Sequence, residues 1–211
     1  MADMAHAAEA AGRQTAVVLA SASPSRRALL ENAGLAVRAE AARIDEGEVK
    51  ASLRAEGADA AQVAETLAEL KAQRVARRHG GALVIGADQM LECEGAWFDK
   101  PATLSEAAEH LAALAGRSHT LVCCACVVRD GVRLWHHVDR ARLTMRPLDP
   151  AFIANYLAQV GEAALASVGA YQLEGRGAQL FSKIEGDYFT ILGLPLLPLL
   201  DFLRQHGVVE T

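Results

Sequence analysis

Neither a Walker loop nor a dinucleotide-type glycine fingerprint occurs in this chain, which excludes the two common glycine-rich routes to phosphate. A basic surplus is missing as well. The formal net charge of −5 over 211 residues argues against a binder of duplex nucleic acid, which carries a basic stripe or a strongly basic balance. The first sixteen residues, rich in Ala and containing acidic residues and a histidine, have no positive start followed by an unbroken apolar block, so they do not read as a signal peptide. The longest apolar run near the end, Phe189 to Leu200, is broken by Gly193, Pro195 and Pro198 and is too short to span a bilayer. A soluble, cytoplasmic protein with no membrane partner is expected. Four cysteines are present, three of them in Cys123-Cys124-Ala125-Cys126, without the fourth ligand and turn geometry of a thiolate metal site. On a strand from Leu121 to Val128, Cys124 and Cys126 share one face and Cys123 takes the other, so buried, reduced thiols are expected.

What is present suffices for one substantial core, with 52% hydrophobic residues. Residues 1–16 read as a flexible extension and residues 17–207 as a single domain, with no internal repeat and no linker-like composition. The most informative stretch runs from Val17 to Leu35. Val17 to Ala20 reads as a buried strand, Ser23 as a helix N-cap and Pro24 as the first helical residue. An anion at that point meets free backbone N–H groups, the positive end of the helix dipole, the hydroxyls of Ser21 and Ser23, and a guanidinium from Arg26 or Arg27.

Further along, Val37 to Ala42 suits a strand, Ile44 to Glu48 an acidic turn, and Ala60 to Arg78 a helix ending at His79-Gly80-Gly81. Leu83 to Ala87 reads as a short buried strand delivering Asp88 and Gln89 at its carboxyl end, the edge where α/β sheets bind ligands. A hairpin is expected over Met90 to Phe98, a helix over Ser105 to Ala115, and two antiparallel strands, Thr120 to Val128 and Leu134 to Met145, joined through Asp130-Gly131. Asp149-Pro150 opens another helix, Gly169 to Gly177 forms a glycine-rich stretch followed by a short helix, and a last helix runs to about His206.

A carboxylate at a strand mouth, as Asp88 would be, binds a divalent cation or accepts a proton from water, and burial raises its pKa toward a useful range. Asp45, Glu46 and Glu48 add hard oxygen donors. Lys71, among helix formers, reads as solvent-facing. Lys100 sits between a hairpin and Pro101, its backbone held and its ammonium free to reach a phosphate. Asp187 is an acid in a turn. Gln172, Glu174 and Arg176 flank glycines in a loop that must turn sharply or come close to something, with a purine edge or a ribose as suitable targets.

Taken together, Ser21-x-Ser23-Pro24-x-Arg26-Arg27-x-Leu29-Leu30, Asp45-Glu46, Lys71-Ala72, Gly86-Ala87-Asp88-Gln89, Lys100-Pro101, Tyr171 to Gly177, and Glu185-Gly186-Asp187 through Gly193-Leu194-Pro195-Leu196 resemble the Maf family of nucleoside triphosphate pyrophosphatases. The blocks run in family order from about Val17 to Leu203. The resemblance implies an α/β fold with a mixed, twisted sheet flanked by helices and two lobes around a deep cleft. The implied reaction is hydrolysis of a nucleoside triphosphate to the monophosphate and pyrophosphate with Mg²⁺ or Mn²⁺. It also implies roles: Asp88 as proton acceptor and metal ligand, Ser21, Arg26, Lys71 and Lys100 on the triphosphate, and Glu46 and Asp187 on metal or water. Gln89 and Glu174 stand where the branch acting on 7-methyl-GTP has them. Two departures from that branch are Ser25, in place of a tryptophan, and Asp99, in place of a glycine. A homodimer is expected from the family, and its link to inhibition of septum formation leaves a second expectation, a nucleotide-binding regulator of cell division. Retention of Asp88, Glu46 and both lysines favours catalysis.

Overall fold

The computed structural model describes residues 15–210; all but the last two residues of the expected 1–16 extension lie outside them. The described residues form a mixed seven-stranded sheet with helices on both faces. The strands are β1 (Val17–Leu19), β2 (Val37–Ala39), β3 (Leu83–Cys93), β4 (Ala96–Phe98), β5 (Ser118–Arg129), β6 (Val132–Met145) and β7 (Phe181–Glu185). The helices are α1 (Pro24–Asn32), α2 (Glu46–Ala55), α3 (Ala60–Ala76), α4 (Leu104–Leu114), α5 (Pro150–Val160), α6 (Tyr188–Ile191) and α7 (Leu196–Gln205). The sheet order is β2-β1-β3-β5-β6-β7, with β4 hairpinned onto the end of β3. β1 runs parallel to β2 and β3, and the remaining pairs are antiparallel.

Alternation along β3 and β5 assigns their side chains to opposite layers. Val84, Met90, Cys124 and Cys126 face α3, while Ile85, Ala87, Ala125 and Val127 pack against α1 and α7. On that second face the apolar packing continues in a separate cluster around Leu91, Leu121, Leu143, α4 and α5. All four cysteines are buried and free, and burial pushes the thiols of Cys123 and Cys126 up to about 12. They are small hydrophobes, as expected.

Three expectations need correction. The strand expected over 83–87 continues to Cys93, because β5 supplies antiparallel partners from Val84 through Glu92. Asp88 therefore lies in the middle of a strand, opposite Cys124, and not at a strand end. It is nevertheless at an opening of the sheet: β1 pairs with β3 only as far as Ile85, and β4 does so only from Leu91, so residues 86–90 have no neighbouring strand on that side. Next, the strand expected over Val37 to Ala42 ends at Ala39, and a strand not expected from the sequence, β7, follows a short 3-10 turn over Arg176–Leu180. Lastly, Lys71 does not face solvent. Its residue is 7% exposed, because α3 lies directly on β3: a Cβ added at Gly86 would stand 2.0 Å from the Ala68 carbonyl oxygen. Only glycine admits that approach, and it lowers Lys71 over Asp88.

Candidate active site

The opening beside β3 is the floor of a cavity of about 640 Å³. Its wall on one side is the start of α1. Ser23 has extended backbone and its Oγ accepts the Arg26 N–H, with Pro24 at the first helical position, so the helix begins where the sequence placed it. Ser21 Oγ accepts from Ser23 N–H at 3.2 Å and from Arg26 Nη1 at 3.4 Å, which leaves its own proton to donate. The Arg26 guanidinium is fixed by backbone carbonyls, with Nε donating to Gly193 O at 2.7 Å and Nη1 to Ala87 O at 2.9 Å. Arg27 turns outward to Glu31, which resolves the choice between the two arginines.

The centre of the cavity is a carboxylate–ammonium cluster. Lys71 Nζ lies 2.6 Å from Asp88 Oδ1 and 2.8 Å from Glu46 Oε1. Glu46 reaches it as the first residue of α2, which Asp45 caps by accepting the Glu48 N–H. Asp88 is 4% exposed, and its Oδ2 is buried without a hydrogen-bond partner. Burial raises the Asp88 carboxyl above its ordinary value, outweighing the opposing pull of Lys71 and Arg26. For Glu46 the balance is reversed. Partial burial works against its charge, but Lys71, and then Lys50 and Arg26, hold its carboxyl below the usual range. Two neighbouring carboxylates are thus pushed apart in basicity, the arrangement in which one serves as base and the other as fixed charge.

Lys100 opens onto the same cavity; withdrawal from water and then the Arg26 cation hold its ammonium below the ordinary lysine value. Ser25, Gln89 and Glu174 also line it, and Asp187 does not. Instead Asp187 Oδ2 accepts the Thr190 N–H as the cap of α6. Gln89 Nε2 donates to both Thr190 O, at 2.9 Å, and Ile191 O, at 3.1 Å, so both amide protons are spent and only Oε1 is left. Sequence reasoning missed Lys50 and Arg43, both in the cavity wall. Lys50 was detectable, because it stands one helical turn after Glu46 on α2 and so shares its face; it pairs with Asp99 across the cavity mouth. Among the described residues, Arg26, Arg43 and Lys100 have no carboxylate partner.

The loop carrying Glu174 is held from below. Gly177 packs against its own chain, where an added Cβ would stand 2.4 Å from Gln172 O. Tyr171, in the cavity wall, shares a 2.7 Å hydrogen bond with Nε2 of His119 on β5, which is 1% exposed. Burial drives the His119 pKa down to about 4. Its stabilising contribution is therefore fully present above the ordinary histidine value near 6.5 and is lost as the pH falls through about 4. Urea unfolding is expected to show a decline of about 3 kcal/mol over that window, largely absent in His119→Gln.

Such a site, an α/β sheet opening lined by a helix N-terminus, three cations without a carboxylate partner among the described residues and a buried carboxylate of raised pKa, defines a protein suited to a multiply charged anion. Comparison with known proteins agrees on one family. Residues 16–206 match the Maf-like protein family, and the chain belongs to it. It is similar to a protein of Paramagnetospirillum magneticum named nucleoside triphosphate pyrophosphatase, 56% identical over 90% of this chain and 98% of the relative. It is equally similar to a protein of Rhizobium johnstonii named 7-methyl-GTP pyrophosphatase, 56% identical over 92% of this chain and 98% of the relative. A Granulibacter bethesdensis nucleoside triphosphate pyrophosphatase is 55% identical over 92% of this chain and 99% of its own length. Among the described residues, no helix is long and apolar enough to cross a membrane.

Proposed function

We propose that this chain hydrolyses nucleoside triphosphates between the α and β phosphates, releasing the monophosphate and pyrophosphate, with Asp88 taking the proton of the attacking water. The observation that supports this most is Asp88 itself: buried, raised in pKa, with Oδ2 unpartnered in a cavity whose spare charge is positive. Lys71 holds Oδ1 and fixes the carboxylate plane, so Oδ2 is the atom free to orient water. Arg26, Lys100, the Ser21 hydroxyl and the N–H groups of α1 bind the phosphate chain and offset its charge, which is most of what phosphoryl transfer asks of a protein.

Among the described residues no three His, Cys, Asp or Glu side chains converge as a metal cluster. The donors present still fit Mg²⁺ or Mn²⁺, which are commonly held by one or two carboxylates together with substrate phosphate oxygens. Glu46 would be the carboxylate that holds it, which leaves Asp88 Oδ2, without a partner, to the water. The ion, when bound, supplies further charge neutralisation on the phosphates.

The nucleobase is read by Glu174, which lines the same cavity. Glu174 accepts from the N1–H and exocyclic amine of guanine and suits the positive charge of a 7-methylated ring, and 7-methyl-GTP is the substrate we infer. Gln89, with its amide protons spent on Thr190 and Ile191, contributes an acceptor at most. The test is pyrophosphate release across a panel of triphosphates with Mg²⁺ or Mn²⁺. Wild type is expected to favour 7-methyl-GTP, and Glu174→Gln to lower kcat/KM for it roughly 10- to 100-fold relative to UTP. An unchanged preference would remove Glu174 from recognition. Nucleotide binding without turnover of any member would point to a regulator in place of an enzyme.

A further inference from the structure

The strap from Tyr188 to Leu194 is closed on itself. Gly193 N–H donates to Thr190 O at 3.0 Å and Leu194 N–H to Phe189 O at 3.1 Å, with Gly193 in the left-handed region at φ +100°. This is a Schellman closure, with Phe189 and Leu194 packed into the same apolar cluster, so the strap is braced as one unit. Two side chains outside it tie it to the sheet. Gln89 on β3 donates to two of its carbonyls. Asp139 on β6 accepts, through Oδ2, the hydroxyl of Thr190 at 2.8 Å, and Thr190 has no exposed surface. At its far end the strap offers one carbonyl, Gly193 O, to Arg26 Nε at 2.7 Å.

We infer that Thr190 and Asp139 are positioning residues: their hydrogen bond sets the strap, the strap sets the Gly193 carbonyl, and that carbonyl aims the Arg26 guanidinium at the phosphate chain. The chemistry favours this over a purely local role. The Thr190 hydroxyl bonds a carboxylate, a charge-assisted contact stronger than a neutral one, and it spans from the strap to a strand two places from β3. Arg26 Nε and Nη1 are spent on Gly193, Ala87 and Ser21, so its remaining Nη2 protons face a ligand only while those partners hold still. A shift of the strap redirects the guanidinium without touching Asp88 or Lys71.

This inference rests on the triphosphate reading of the cavity, and its test separates the two. Binding of inorganic tripolyphosphate is measured by calorimetry for wild type, Thr190→Val, Thr190→Ser, Asp139→Ala, Arg26→Ala and the double variant Arg26→Ala/Thr190→Val. Thr190→Val and Asp139→Ala are expected to weaken binding roughly tenfold, and Thr190→Ser to restore it. In the Arg26→Ala background Thr190→Val should add less than about a twofold loss, since the two act as one unit. Additive losses in the double variant, or Thr190→Val and Asp139→Ala binding like wild type, would overturn the inference. Should one of these two variants fail to fold, the other carries the comparison. Wild type that binds no tripolyphosphate would count against the reading of the cavity itself. In turnover assays the Thr190 and Asp139 variants that weaken binding should raise KM and leave kcat in place.

Discussion

Asparagine at position 88 is expected to lower kcat by roughly 10²- to 10⁴-fold while leaving stability at neutral pH unchanged or higher. Loss of rate follows because Asn has no basic oxygen for the proton of water. Preserved stability follows from the sign of the Asp88 shift. Burial raises its carboxyl despite Lys71 and Arg26, so the folded state holds the protonated acid better than the ionised one. The stabilising contribution of that proton is complete below the unfolded value near 3.8 and is lost as the pH rises through the raised folded value. Wherever Asp88 is ionised, the fold therefore carries a charge it would be more stable without, a common feature of active sites. An uncharged isostere that still accepts from Lys71 relieves it. Thermal unfolding at pH 7 and steady-state kinetics on the same preparations check both halves. In wild type, kcat should rise with pH through the Asp88 titration, and near-normal turnover by Asp88→Asn would remove Asp88 as the base.

Replacing Lys71 by methionine should have the opposite effect on stability. The side chains of Lys71 and Asp88 are 9% and 6% exposed, and removing one member of a buried pair leaves the other uncompensated, at a cost of about 3–5 kcal/mol. The destabilisation should be largest at neutral pH and shrink in acid. Without the ammonium, the Asp88 pKa rises further above its ordinary value, and a protonated Asp88 no longer needs a partner. Kinetics should report the same change as an upward move of the acid limb of the pH–rate profile. Denaturant unfolding at pH 7 and pH 5 reads the first effect. Equal losses at both values would mean that Lys71 acts through packing and not through its charge.

Local chemistry made part of this site legible in the sequence. Ser23, Pro24 and the arginines after them announced a helix N-terminus behind a strand, and the structure builds it so. Asp130-Gly131 announced the hairpin of β5 and β6, and the Cys123 to Cys126 alternation placed the thiols in apolar layers. What escaped depended on partners distant in the chain. Lys71 reads as a surface lysine until α3 is set against Gly86, a contact no local pattern encodes. β3 reads as ending at Ala87 until β5 is present to continue its ladder. Asp187 and Gln89 carry motif positions, yet both bond α6 and its carbonyls, a use visible only once the strap folds back over the sheet. Motif order brought Lys71 to attention where periodicity did not; packing supplies the reason, a cation needed between two acids, Asp88 and Glu46.

The most direct test of Asp88 as the base of a triphosphate pyrophosphatase is a ³¹P NMR time course of 7-methyl-GTP with Mg²⁺, run for wild type and Asp88→Asn. The expected result is equimolar monophosphate and pyrophosphate from wild type, no orthophosphate at early times, and no detectable products from the variant over the same interval. Orthophosphate as the first product, or matching time courses from the two proteins, would contradict it.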